Sequence, residues 1–276
     1  MRIALTGASG QVGRAITARA LDQGHSIVGI DRALAPDATP GVSFVQAEMA
    51  DYDALVAAFA GCDALIHMAA ITSPGRQPDH VVHNTNVVGS YNALRAAAEN
   101  GIMRICQASS VNAIGHAYSR KPRYDFFPID ETHANYSEDP YSLSKWICEQ
   151  QADSFARRHE DMTIASMRFH YVAPDLATVI AHYGDGRSNV DKHLWAWTKL
   201  DAAADACLRS LTAPLVGHEV FYIVSPTTTA AAPSLDLAAK HFPDVPVTGD
   251  LSGQRSFFSS AKAKRLLGWD HDTVMA

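Results

Sequence analysis

A short apolar run, Arg2–Thr6 (RIALT), leads into three glycines at three-residue spacing, Gly7, Gly10 and Gly13, and then into helical periodicity over residues 12–22. A strand that turns into a helix across glycines leaves few folds open. In such a turn the first glycine permits a positive backbone angle, the second lets the main chain approach a pyrophosphate, and the third lets the helix pack on the strand. Phosphate oxygens would then face the amides of a helix start, which marks Gly7, Ser9, Gly10, Gln11, Val12 and Gly13 as a dinucleotide-binding turn. Ordinary turns and linkers also produce this glycine pattern, so the context decides. A second strand predicted over 26–30 runs into Asp31. An acidic side chain there would accept hydrogen bonds from both hydroxyls of an adenine ribose and would repel an added phosphate. That favours NAD over NADP, although Arg32 could pair with such a phosphate or stack on adenine. The plainer alternative for Asp31 is a turn residue after a strand.

Apolar runs at Val42–Gln46, Ala64–His67, Thr163–Phe169 and residues 104–108 and 220–224 read as buried strands. Helical stretches at 53–59 and 86–100 alternate with them, as a parallel sheet requires. The expected fold is α/β, a Rossmann-type doubly wound parallel sheet. The NAD-binding domain would cover residues 1–169 and a smaller substrate-binding region 170–276, with the strand near 219–225 returning to the first domain's sheet. With 276 residues and 47% apolar content, the chain can bury a full core. Its net charge of −6 offers no basic footprint for nucleic acid. The absence of an 18-residue apolar run gives no membrane span, and Met1 enters the first strand without a secretory signal, so the expected compartment is the cytoplasm. Cys62, Cys106, Cys148 and Cys207 stand far apart, as packed, reduced thiols do. Among the histidines only His80 and His83 could share a helix face, and no partnering carboxylate accompanies them; no metal is expected.

In EDPYSLSK, Tyr141 and Lys145 lie four residues apart, one helical turn, and so share a face. Pro140 suits the first helical position and Asp139 the cap. Oxidising a secondary alcohol requires a base at the oxygen while hydride leaves the carbon. A tyrosine holds its proton to a pKa of about 10, and bringing that to about 7 needs roughly 4 kcal/mol of preferential stabilisation of the phenolate. One ammonium at about 4 Å contributes roughly that much at an effective dielectric near 20. A surface helix carrying a tyrosine and a lysine by chance is the alternative; the glycine turn upstream argues against it.

The order of these motifs resembles the extended short-chain dehydrogenases/reductases, the NAD-dependent epimerase/dehydratase family, over essentially the whole chain. GASGQVG follows the first strand, Asp31 the second, EMAD (48–51) the third and HMAA (67–70) the fourth. NTNVVGSYN, ASSVNAIG (108–115) and YSLSK (141–145) come after them. The resemblance implies Glu48 and Met49 near adenine, Ala69, Ala70 and Phe169 along the cofactor path, and Asn86 in the active-site architecture. It implies Ser110, Tyr141 and Lys145 as the catalytic set, with Lys145 also holding the nicotinamide ribose. Ser110 stands five residues before Gly115, as the family's serine usually does; Ser109 is its rival, and both could instead be strand-end hydroxyls bonding to backbone. A homodimer through helices 86–100 and 141–159 is implied too, for which Ala93, Leu94, Ala96 and Ala97 offer a close-packing face.

Substrate identity is harder to read. RFHYVAPD, from Arg168, is similar to the family's arginine-to-VYGP stretch but lacks its tyrosine and glycine. ASSVNAIG resembles the serine strand of uronate dehydrogenases, with Ile114 in place of the epimerases' tyrosine. Ser109, Asn112, His170 and Arg187 are the candidate substrate contacts, Arg187 for a carboxylate. Asn189, His193, Trp195 and Trp197 suit a polar sugar stacked on indole, or equally a packed core. The expected function is NAD-dependent oxidation of a secondary or anomeric hydroxyl of a sugar or sugar acid. The alternatives are an NAD-dependent sugar epimerase or dehydratase and a non-catalytic NAD(P)-sensing protein.

Overall fold

A computed structural model describes residues 1–33, 40–183 and 189–272. In chain order the first half contains β1 (Arg2–Thr6), α1 (Gln11–Asp22), β2 (Ser26–Asp31), β3 (Val42–Gln46), α2 (Tyr52–Phe59), β4 (Ala64–His67), α3 (Asp79–Glu99) and β5 (Arg104–Ser110). A 3₁₀ turn over Val111–Ile114 follows, then α4 (Pro140–Arg158), β6 (Thr163–Phe169), β7 (Val172–Ala173) and α5 (Leu176–Tyr183). The chain continues with β8 (Thr198–Lys199), α6 (Leu200–Ser210), β9 (His218–Ile223), α7 (Ser234–His241) and α8 (Ala261–Leu267).

Among the described residues seven strands form one parallel sheet in the order β3-β2-β1-β4-β5-β6-β9, while β7 and β8 pair separately. Side chains alternate across the sheet and so build two cores. Ile3, Leu5 and Ile27 bury one face under α1 and α6, with Ile16, Ala20 and residues 202–208 of α6. Ala4, Val28, Leu65, Ile105 and Ile164 bury the other under α2, α3 and α4, with Leu55, Phe59, Ala93, Ala97, Ala152 and Phe155. The strand order reverses between β1 and β4, and the crevice outside their carboxyl ends is where such sheets bind ligands.

Several expectations shift. Helix α3 begins at Asp79, seven residues before the predicted 86, because the segment before 86 offers only the adjacent pair Val81 and Val82 and no recurring apolar period. Strand β5 runs on through Ser109 and Ser110, which pair with Arg168 and Phe169 of β6. Ala93, Leu94, Ala96 and Ala97 are fully buried inside the chain, so they cannot form a subunit face. The small side chains of Ala93, Ala96 and Ala97 instead let α3 lie close to the sheet and to α4. Trp195 and Trp197 are also buried, Trp195 edge-on to His241 and tilted against Phe257, which makes them core rather than an open sugar platform. Arg187 lies outside the described residues.

Candidate active site

The glycines are required by close approach. Gly7 has φ +70°, and a Cβ there would stand 2.8 Å from the Ala69 nitrogen and 2.9 Å from the Met68 carbonyl carbon. On Gly13 a Cβ would come within 2.2 Å of the Gly7 oxygen. Helix α1 starts at Gln11 behind the cap position Gly10, which offers no side-chain hydrogen bond, and has no acidic residue in its first turn, so its leading amides are left for an anionic partner. Gln11 is exposed at that start, Val12 is half-buried and Gly13 is buried. At the end of β2 the Asp31 carboxylate accepts the Ser9 N–H at 3.0 Å, which ties it to the same turn; Arg32 beside it is exposed. These features fit a dinucleotide.

Across the crevice, Thr6 Oγ1 accepts the Ala69 N–H at 3.3 Å and lies 2.7 Å from His67 Nδ1. Burial, with the Lys145 charge nearby, pushes the His67 pKa down to about 3, so its ring is neutral. Ala70 follows, half-buried. Asn86 fastens the next segment: its Oδ1 accepts the Ile71 N–H at 2.8 Å, and its amide donates to Ile71 O and to Ser144 Oγ, both at 3.0 Å. Glu48 is exposed beyond β3, and Met49 packs where a Cβ on Gly89 of α3 would meet it at 2.9 Å.

Helix α4 begins as its sequence suggests. Pro140 is its first residue, and Asp139 accepts the N–H groups of Tyr141 and Ser142 at 3.0 and 2.9 Å. This puts Tyr141 in the first turn, buried beside the end of β5. Ser110 Oγ accepts the main-chain N–H of Asn112 at 3.1 Å and its side-chain amide at 3.3 Å. A hydroxyl has two acceptor sites and one donor, so the Ser110 proton is left to donate, and the Tyr141 phenol is near enough for that hydroxyl to favour its ionised form. Lys145 Nζ donates to Ala108 O at 2.8 Å and sits 5.9 Å from the Tyr141 ring centre. Burial raises the Tyr141 pKa, and the Ser110 hydrogen bond only partly offsets that. Burial likewise lowers that of Lys145. The strong lowering of Tyr141 by Lys145 expected from the sequence is therefore not the dominant effect in the protein alone.

Ser109 points elsewhere. Its hydroxyl donates to Glu149 Oε1 at 2.5 Å, inside a buried pair with Arg168. Asn112 also accepts the Ala117 N–H at 2.9 Å and so shapes the loop that follows. That loop delivers Tyr118, whose ring stands edge-on to Tyr141 with centres 5.8 Å apart. His170 follows β6, with Nδ1 accepting the Tyr171 N–H at 2.6 Å, and it packs against His116 and His193. Burial holds all three histidines well toward neutrality, His193 at about 4. Phe169, at the end of β6, is buried beside Ser110 in register. Sequence reasoning missed Tyr118, Thr6 and Glu149. The one available signal was for Glu149, which stands four residues after Lys145 on the same helical stripe.

A phosphate-ready turn, an acid at the end of the second strand, a buried serine ending the fifth and a buried tyrosine and lysine after it define a Rossmann-type dinucleotide-binding protein. The chain belongs to the NAD dependent epimerase/dehydratase family, whose pattern it matches over residues 3–213. A Mycobacterium tuberculosis protein of uncharacterised function is 45% identical over 111 residues, 40% of this chain and 12% of the relative. The L-arabinose 1-dehydrogenase (NAD(P)(+)) of Haloferax volcanii is 33% identical over 57% of this chain and 62% of its own. The chain thus spans less than two thirds of either relative. The uronate dehydrogenase of Pseudomonas putida is 27% identical over 83% of this chain and 78% of its own. In fold the chain is similar to MoeE5 in complex with UDP-glucose and NAD, with a TM-score of 0.74, 20% identity and coverage of 99% and 94% of the two chains.

Proposed function

We propose that the protein oxidises a secondary or anomeric hydroxyl of a sugar or sugar acid, using NAD as hydride acceptor and Ser110, Tyr141 and Lys145 as its catalytic set. The observation that carries this reading is the buried Ser110 hydroxyl at the end of β5, its acceptor sites filled by Asn112, close to Tyr141 in the first turn of α4 with Lys145 one turn further along. When bound, the oxidised nicotinamide accepts the hydride and adds a positive charge to the site. Tyr141 takes the hydroxyl proton, and Lys145 stabilises the phenolate that precedes the transfer. Ser110 donates to the reacting oxygen as charge develops there. Asp31, through its charge, selects the unphosphorylated ribose and hence NAD. The arabinose and uronate dehydrogenase relatives support a free sugar or sugar acid as substrate. Four buried free thiols suit a reducing compartment such as the cytoplasm.

The test is to mix the purified protein with NAD or NADP and a panel of aldoses, uronates and sugar nucleotides and to follow reduced cofactor. Steady NADH formation with an aldose or uronate, at least about tenfold faster than NADPH formation, is the expected result. Isomerised sugar without NADH would make the protein an epimerase. Cofactor binding without turnover of any panel member would point to a sensor.

We also propose a two-fold dimer through α3 and α4. Val88 and Tyr91 on α3 and Leu143 on α4 expose 46%, 45% and 36% of their surface, an apolar set on two neighbouring helices. Val88→Glu is expected to convert a dimer into a monomer in sedimentation velocity. A wild-type protein that sediments as a monomer at micromolar concentration would end this proposal.

A further inference from the structure

Three consecutive residues of β5 are each hydrogen-bonded to α4, and the fourth, Ser110, lies close to Tyr141. Gln107 Nε2 donates to Cys148 O at 3.1 Å, and Ala108 O accepts from Lys145 Nζ at 2.8 Å. Ser109 Oγ donates to Glu149 Oε1 at 2.5 Å. The third tie is unlike the others because it joins a buried charge pair. Arg168 Nε and Nη2 hold Glu149 Oε1 and Oε2 at 2.9 and 2.7 Å in a two-pronged fork, with side chains only 6% and 3% exposed. The third guanidinium nitrogen donates to the Tyr222 hydroxyl at 3.1 Å, and the guanidinium lies over that ring. Helix, β5, β6 and β9 are thereby joined at one point.

Burying two charges returns little net stability, and apolar residues of similar volume often serve as well. What a fork adds is direction: it is planar and fixes angle as well as distance. The apolar contacts of α4 through Ala152, Phe155 and Ala156 have no such directionality. Tyr141, Lys145 and Glu149 form one stripe along α4, and Ser109 adjoins Ser110 on β5. A roll or slip of the helix would therefore part Tyr141 from Ser110. We infer that Glu149 and Arg168, acting with Ser109, are positioning residues that hold Tyr141 in register with Ser110. This inference rests on the proposed catalytic roles of that pair.

Ser109→Ala removes the strand's tie and leaves the fork, while the double variant Glu149→Leu/Arg168→Met removes the fork without leaving an unpaired charge. Two readouts separate positioning from plain structure. One is kcat and KM with NAD and the panel sugar that the wild type oxidises. The other is the ¹³Cζ resonance of Tyr141 in tyrosine-labelled protein without cofactor, identified by its absence in Tyr141→Phe. The expected result is a kcat reduced about tenfold to a hundredfold, both KM values within about twofold, and a displaced resonance, with Ser109→Thr restoring both readouts. An unmoved resonance with kcat within about twofold of wild type overturns the inference whatever happens to the melting temperature. Should the double variant not fold, Ser109→Ala decides alone. If Tyr141→Phe itself turns over at the wild-type rate, the catalytic reading has failed. The resonance then still reports whether the fork sets the Tyr141 environment.

Discussion

Tyr141→Phe is expected to lower kcat roughly 10²- to 10⁴-fold, the range that a positioned acid–base group contributes, while leaving NAD affinity within about twofold. Phenylalanine keeps the ring that packs edge-on to Tyr118 and fills the same buried space. It loses only the phenolic oxygen and its interaction with Ser110, at most about 1 kcal/mol of stability, so the fold survives. The glycine turn and Asp31 lie at the ends of β1 and β2, away from the altered oxygen. Calorimetric titration of NAD and steady-state turnover together provide the check. A phenylalanine variant within about tenfold of the wild-type rate would remove Tyr141 from the role of base.

Gly13→Ala should have the largest effect on the cofactor site. The added Cβ would lie 2.2 Å from the Gly7 oxygen and 2.8 and 2.9 Å from Ala8 Cα and its carbonyl carbon, all main-chain atoms of the turn. Helix α1 must move away from β1 to admit it, at a cost of about 1–3 kcal/mol or more, lowering the melting temperature by roughly 5 °C or more. The same movement spoils the alignment of the helix-start amides, so NAD affinity is expected to fall at least about thirtyfold. Gly24→Ala makes an informative contrast. Gly24 has φ +75°, and a methyl group added there would meet nothing within 4 Å, so only backbone strain of about 1 kcal/mol is expected and NAD binding should persist. Equal losses in the two variants would show that the turn's close packing is not what holds the cofactor.

The parts of the fold that were legible are those set by local pattern. β3, β4 and β6 match their predicted bounds because each is a short run punctuated by turns or polar residues. The α4 start was readable from Asp139 and Pro140, since a cap is a local arrangement. What failed depended on partners distant in sequence. Periodicity showed that Ala93, Ala96 and Ala97 share a face but not that this face meets the chain's own sheet. Ser109 and Ser110 are indistinguishable as neighbours in a sequence, yet a strand sends them to different partners, Glu149 and Tyr141. The Glu149–Arg168 fork joins residues on different elements, and no spacing rule could announce it. Trp195 and Trp197 looked equally suited to sugar or core because indoles serve both, and burial settled that for the core.

One edge of the main sheet is β9, from residues 218–223, which pairs with β6 along six positions and whose outward Tyr222 N–H is taken by Glu131 Oε1 at 3.0 Å. The region between these two strands is thus an excursion that leaves one strand and must return beside it. A fragment ending at residue 213, where the family pattern stops, would leave β6 as an open rim of unpaired amides and carbonyls, a template for self-association. In the whole chain that rim is replaced by β9, where the amides of Tyr222 and of Val224 just beyond the strand are held by Glu131 and Ser260, so trimming the late residues is expected to cost solubility.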